Sequence, residues 1–448
     1  MMENRRKVLE LFREQKEFLE EKIQFGIEQY RKGYASIHVK DQEGNGIPGA
    51  KITLRQRSHE FKFGANLFML DELETEEKNK LYQTYFADTF NMATLPFYWD
   101  ATEPERGKTR YDRDSEKLYR RPAIDLCMDF CEKHGIEPRE HALAYENFFP
   151  KWLYHASVGE IKAALEKRYR EISKRYKDKI PTIEVTNEME WEHGRTAFYD
   201  EPDFVEWCFK LAEKYFSANQ LVVNEWAGSC WTDRCRATDK YYSYIEANRL
   251  KGARIDAIGM QYHMFFCKEE EYEKTRAYYN PESLYRHMDL YATFGKPLQI
   301  TEVTIPAYSE DPEDEAIQAE IIKILYSIWF SHPKVEQIIY WNLVDGYAHV
   351  PDPEKIKDSQ GNMTVGENYY YGGLLRFDMT PKPAYIAIKN LLEKEWHTEI
   401  AVVTDENGKA TFKGFYGEYD AEITVDEKVM DQKIKLSSKG KKVFEIEV

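Results

Sequence analysis

Thr182-Ile183-Glu184-Val185-Thr186-Asn187-Glu188 and Leu298-Gln299-Ile300-Thr301-Glu302-Val303 are two short runs, rich in β-branched residues, that finish in polar groups. Strands of a buried parallel sheet read as brief, nearly continuous apolar segments, and a barrel built from them exposes its active residues where the strands end. Six more runs share the form, at residues 63–66, 90–95, 139–144, 221–224, 257–262 and 337–343. Helical patterns follow them, as at 204–215 and 317–330, and 383–392 closes the series. Eight βα units predict a (β/α)8 TIM barrel with long loops, with a doubly wound open sheet as the alternative. No glycine-rich phosphate loop follows the first run, which weighs against a nucleotide fold.

Outside this span the period changes. Residues 3–31 carry Leu11, Phe12, Phe18, Leu19 and Ile23 at helical spacing, with Gly33 as a stop, so 1–34 is expected to be an N-terminal amphipathic helix. Ile37 and Val39, then Ile52 and Leu54, alternate around Glu43-Gly44-Asn45-Gly46 and predict a hairpin within 35–61. Further strands are expected at 401–403, 411–412, 423–425, 434–436 and 443–448. Neither set buries enough apolar surface alone. The expectation is one accessory β-sandwich made by both chain ends, 35–61 with 396–448, beside a catalytic barrel at 62–395. Phe412, Phe415, Tyr416 and Tyr419 supply either its core or a sugar platform.

The chain has 448 residues and a net charge of −16, without a basic stretch, which argues against nucleic acid as the main partner. No apolar run approaches the roughly 18 residues of a membrane span. The start, Met1-Met2-Glu3-Asn4-Arg5-Arg6, lacks the apolar stretch of a signal peptide, so the expected location is cytoplasmic, or secreted if a leader has been removed. Six cysteines are sparse, and Cys127 and Cys131 stand four apart with no Cys-x-x-Cys pair, so reduced thiols and no metal are expected. Oligomeric state is not specified by the sequence.

Glu188 and Glu302, at the ends of the fourth and seventh runs, would face one another across a barrel mouth. Glycoside hydrolysis needs such a pair: one carboxyl protonates the leaving oxygen, the other attacks the anomeric carbon or activates water. A lone Glu at such a position more often caps a helix or pairs with Arg. Two together, with His141, Asn187, Asn224, Gln261, His263 and Trp341 at neighbouring strand ends, favour chemistry. Asn187 is placed to hold a sugar hydroxyl and His263 to orient a carboxylate, while Trp341 is either platform or core. No metal or organic cofactor is required.

The runs Thr186-Asn187-Glu188, Gly259-Met260-Gln261-Tyr262-His263 and Ile300-Thr301-Glu302 resemble glycoside hydrolase family 10, the endo-β-1,4-xylanase family. So do Gly64-Ala65-Asn66, Ala101-Thr102-Glu103-Pro104 with Gly107, and Pro381-Lys382-Pro383-Ala384-Tyr385, in the right order over about 62–395. The resemblance implies a retaining double displacement with Glu188 as general acid/base and Glu302 as nucleophile. It also implies that His141, Asn187, Gln261, His263 and Trp341 surround the glycone sugar. The chain departs from the family at the sugar-binding rim. The polar run after the second strand is replaced by Thr94-Leu95-Pro96-Phe97-Tyr98-Trp99, a Trp-His pair by Tyr145-Glu146, an Asp by Thr304 and a Trp by His349. Trp99 and Tyr145 are counted with the substrate-binding residues, and Phe97, Tyr98 and Tyr145 are expected to offer new aromatic surface. The substrate expected is xylan-like β-1,4-linked plant polysaccharide or its oligosaccharides. Another β-linked or aryl glycoside, or a non-catalytic carbohydrate-binding barrel, is the alternative.

Overall fold

A computed structural model describes residues 5–190, 194–232, 234–351, 359–426 and 428–448. Eight parallel strands close a barrel: β3 (Lys62–Asn66), β4 (Met92–Pro96), β5 (Glu137–His141), β6 (Thr182–Asn187), β7 (Gln220–Glu225), β8 (Ala257–His263), β9 (Leu298–Thr304) and β10 (Val335–Tyr340), with β10 returning to β3. Helices separate successive strands, which makes this the expected (β/α)8 TIM barrel. No strand of it faces water: β4, β6 and β9 are buried along their whole length. Two strands end three residues short of the expected runs. β5 ends at His141, and the extended residues beyond it reach β6 through Leu143 N–H to Glu184 O and Ala144 N–H to Val185 O. β10 ends at Tyr340, so Trp341 lies just past the strand.

The chain ends form two further sheets. One has the order β12-β1-β15 and the other β11-β2-β13-β14, where β1 is Lys32–Lys40, β2 Lys51–His59, β11 Glu399–Val403, β12 Lys409–Phe415, β13 Gly417–Val425, β14 Lys428–Leu436 and β15 Val443–Glu447. Ile37 and Val39 from β1 meet Ile52 and Leu54 from β2 in a shared core with Phe412, Tyr419 and Leu436. The expected hairpin is corrected here: β1 and β2 do not pair with each other but lie in opposite sheets. The tight turn exists, closed by Asp41 N–H to Asn45 O, yet the chain leaving it crosses the sandwich rather than returning along β1. Of the four aromatics, Phe412 and Tyr419 are sandwich core and Phe415 packs into the barrel core.

The single N-terminal helix is also corrected. A 3-10 turn (Arg6–Leu9) and a short helix (Glu10–Glu14) precede the main helix Lys16–Tyr30, with the break at Gln15; residues 1–4 of the expected helix lie outside the described residues. Arg5 anchors this segment by ion pairs to Glu271 and Asp314. The main helix packs on the barrel helix Pro312–Ser331 so closely that a Cβ on Gly26 would come within 2.2 Å of the Ser331 carbonyl oxygen. Gly33 does not stop the helix but sits inside β1, where a Cβ would meet the Tyr416 ring at 2.6 Å.

An aromatic layer joins sandwich to barrel. Phe330 stacks on Trp396 at 4.2 Å and meets Phe61 edge-on at 5.0 Å. Arg31 lies over both phenylalanines and donates to the Phe330, His332 and Val335 carbonyls. Among the described residues no helix is long and apolar enough to cross a membrane.

Candidate active site

The ends of β4, β5, β6, β8 and β9, with the loop after β10, open into a cleft of about 810 Å3. Glu188 follows β6 with φ of 51°, a left-handed conformation that costs a side-chain-bearing residue about 1–2 kcal/mol. The turn aims its carboxyl into the cleft, where it accepts from Gln261 Nε2 at 3.0 Å and from the Tyr145 hydroxyl. Glu302, inside β9, accepts from Asn224 Nδ2 at 2.9 Å and meets His263 Nε2 at 3.2 Å.

These donors are themselves held. Thr301 Oγ1 donates to Asn224 Oδ1 at 2.7 Å, which fixes the amide with its NH2 toward Glu302. Asn187 Oδ1 accepts from Asn224 Nδ2 at 3.0 Å and Gln261 Nε2 at 3.2 Å, leaving the Asn187 NH2 for the cleft. His263 Nδ1 lies 2.9 Å from Thr304 Oγ1. Burial pushes its imidazole down to about 4, so at neutral pH the ring is uncharged. The tautomer that serves both partners donates from Nε2 to Glu302 and accepts at Nδ1 from Thr304.

Behind Glu302 lies a buried polar network. Glu184 accepts from Arg139 and, at 2.8 Å, from His141 Nδ1, and His141 Nε2 contacts the Tyr98 hydroxyl at 3.0 Å. Burial pushes the Glu302 carboxyl up; His141 pulls it back, and Glu184 and Glu188 add to the rise. His141, Glu184 and Glu302 bring possible ligand atoms within 4.8 Å of one another. All four carboxylate oxygens already meet N–H groups of Arg139, His141, Asn224 or His263, so the donor set is that of a hydrogen-bonded cluster.

The expected residues thus converge, with one correction. His141, Tyr145, Asn187, Glu188, His263, Glu302 and Trp341 line the cleft, and Asn224 and Gln261 stand behind the two carboxylates. The Trp341 ring lies edge-on to His141 at 5.3 Å and to Phe68 at 5.2 Å. Trp99 does not reach the cleft: it is buried, its Nε1 donates to Glu103 Oε2 at 3.0 Å, and its ring meets Phe149 and Trp152. Phe97 is likewise buried, against Tyr176, so of the rebuilt stretch after β4 Tyr98 supplies the cleft surface. Tyr145 does reach it, as a donor to Glu188.

Sequence reading missed Glu184, Arg120, Arg121 and Phe265. Glu184 had a signal: Thr182, Glu184 and Thr186 are polar at period two in a strand buried on both faces, which requires partners for each. Arg120 and Arg121 belong to a loop without periodicity and had none.

The profile of glycosyl hydrolase family 10 matches residues 57–391. Among curated relatives, endo-1,4-beta-xylanase 2 of Arabidopsis thaliana is 21% identical over 406 residues, 89% of this chain and 33% of its own length, so the chain spans about a third of that protein. Endo-1,4-beta-xylanase B of Thermotoga neapolitana is 25% identical over 349 residues, 75% of this chain and 88% of its own length. In fold the chain resembles native xylanase 10B from Thermotoga maritima, with a TM-score of 0.59 at 23% identity over 75% of this chain and 96% of that one. A family match spanning most of the chain, on a closed barrel with two carboxylates at its mouth, means that the chain belongs to glycosyl hydrolase family 10.

Proposed function

We propose that this chain is a retaining glycoside hydrolase that cleaves β-1,4-linked, xylan-like polysaccharide or its oligosaccharides. The observation that carries the reading is the pair Glu188 and Glu302 in one cleft, each gripped by its own N–H donors. Their surroundings suit different tasks. Glu302 is braced by the Asn224 amide and a neutral His263, which fix its direction of attack on the anomeric carbon. Glu188 lies nearer the opening, beside Tyr145 and Gln261, where it protonates the departing glycosidic oxygen. The sugar then remains bonded to a Glu302 oxygen as an ester. Glu188, now a base, takes a proton from water, whose oxygen displaces Glu302 and restores both carboxyls.

Retention requires carboxyl groups about 5–5.5 Å apart, whereas an inverting site needs about 6.5–9.5 Å for its water. A crystal structure of the resting protein with a gap above about 8 Å would remove the double displacement. Glu302→Ala should abolish turnover of every glycoside. Glu188→Ala should spare nitrophenyl glycosides, whose acidic leaving group needs little protonation, and lose natural oligosaccharides. Equal loss on both substrates in both variants would reject the assigned roles.

A further inference from the structure

The lining of the cleft also holds two guanidinium groups, Arg120 and Arg121, that form no ion pair with a carboxylate among the described residues. Arg121 stacks over Tyr98 at 3.9 Å and flanks Phe148 at 5.3 Å, and its Nη1 donates to the Arg120 carbonyl at 2.9 Å. Arg120 is 3% exposed; its Nη1 donates to Asn342 Oδ1 and the Tyr347 carbonyl, and its Nε has no partner among the described residues. Neither group hydrogen-bonds a carboxylate among the described residues; Asp100 and Glu367 on the same lining act on Arg121 only at longer range. Lys151 and Arg195 add positive charge elsewhere on the lining.

Such an arrangement is costly unless something completes it. A guanidinium taken out of water needs a charged or strongly polar partner, and in a chain of net charge −16 acidic side chains were plentiful. Burial holds the Arg121 guanidinium below its usual range, and His349 beside the pair is pushed down to about 3 by burial and by the two arginines. The rings of Tyr98 and Phe148 hold the Arg121 fork in one plane, the geometry that meets a carboxylate with two parallel hydrogen bonds. Tyr98 also touches His141, so Arg121 stands one ring beyond the cluster that braces Glu302. That is the reach of a sugar next to the reacting one, or of a branch upon it.

We propose that Arg120 and Arg121 form an anion subsite that takes the carboxylate of a uronic acid carried by the substrate. The chain therefore acts on acidic, uronate-bearing β-linked glycans in preference to neutral ones. This rests on the glycosidase reading of the same cleft and names its substrate class.

The test compares two xylo-oligosaccharides of equal length, one neutral and one bearing a single glucuronosyl branch. With the unaltered chain at low salt, kcat/KM should favour the acidic substrate by tenfold or more, and added salt should erode the preference. In Arg121→Gln the preference should shrink to threefold or less, with Arg121→Lys between the two. Calorimetry on the full-length Glu302→Ala chain should show the same order in binding. Equal rates on both substrates for the unaltered chain, which needs no substitution, would overturn the proposal. So would an Arg121→Gln loss shared equally by neutral and acidic substrates. If a sulfate ester replaces the uronate without loss, the carboxylate assignment falls. Cleavage of neutral oligosaccharide with no gain from the branch removes this inference alone. Absence of any cleavage, with Arg121-dependent binding of the acidic oligosaccharide intact, removes the glycosidase reading and leaves the subsite.

Discussion

Glu302 is asked to be an ionised nucleophile in surroundings that raise its pKa. Burial leads, Glu184 and Glu188 contribute, and His141 and Arg139 oppose. A raised pKa means that the reactive carboxylate is lost early as pH falls. On an aryl glycoside, where proton donation matters little, kcat/KM should rise with pH through the Glu302 value and then level. The acid limb should lie at least one unit above about 4.3, the ordinary Glu value. A limb at or below that value would show that the hydrogen bonds from Asn224 and His263 outweigh burial. Because His263 is held neutral, His263→Asn, which keeps a donor, should retain more activity than His263→Ala. If the two variants are equally impaired, the ring's bond to Glu302 is not what matters.

At the scale of elements, the motifs that carry the family resemblance divide between chemistry and scaffolding. Glu103 in Glu103-Pro104 accepts from Trp99, from Gly107 N–H at 2.8 Å and from Lys167, and so ties the loop after β4 to a barrel helix. Lys382 in Pro381-Lys382-Pro383 is wholly buried, donates to Asp345 Oδ2 at 3.0 Å and to the Tyr371 carbonyl at 2.7 Å, and thereby pins the loop after β10. Lys382→Met leaves the buried Asp345 charge without its cation, with the Gly373 N–H still donating to Oδ1, which should cost about 3–5 kcal/mol in denaturant unfolding. The double variant Lys382→Met with Asp345→Leu should recover part of that loss, since removing both charges avoids the unpaired one. A single variant as stable as the parent would show that water reaches Asp345.

For the whole molecule, the sandwich and barrel share Phe61, Phe330, Trp396 and Phe415, so neither is closed without the other. Deleting residues 397–448 should expose this layer and strand β1 and β2 without partners, giving aggregation and a lowered Tm. A truncated chain that elutes and melts like the parent would reject the shared core. The shape of the cleft bears on substrate as well. Leu95 and Phe97 face inward and Tyr98 replaces the polar run expected after β4, so long neutral xylan loses hydroxyl partners at about 1–3 kcal/mol each. Binding energy lost at remote sugars also slows the chemical step. Xylohexaose should therefore not exceed xylobiose and aryl xylosides by more than about a hundredfold in kcat/KM, nearly 3 kcal/mol. A larger ratio would mean that the rim still grips a long chain.

The barrel, its eight strands and the two carboxylates were legible because each is written locally. A buried strand needs an apolar run, and while one polar group at a strand end has structural reasons to be there, two carboxylates among several polar strand ends favour chemistry. The five C-terminal strands were visible through alternation at period two. What pairs with what was not: β1 and β2 carry the pattern of a hairpin, and their separation into opposite sheets depends on β12 and β13, about 360–380 residues away, offering better partners. Gly33 reads as a helix stop and is instead a gap for Tyr416. Trp99 and Phe97 sit beside Tyr98 in the chain, yet the sharp turn after β4 sends two rings into the core and one to the cleft. The arginine pair belongs to an irregular loop. Its significance lies in guanidinium groups that, among the described residues, lie in the cleft without an ion-paired carboxylate, and that is a property of the packed surroundings rather than of its sequence.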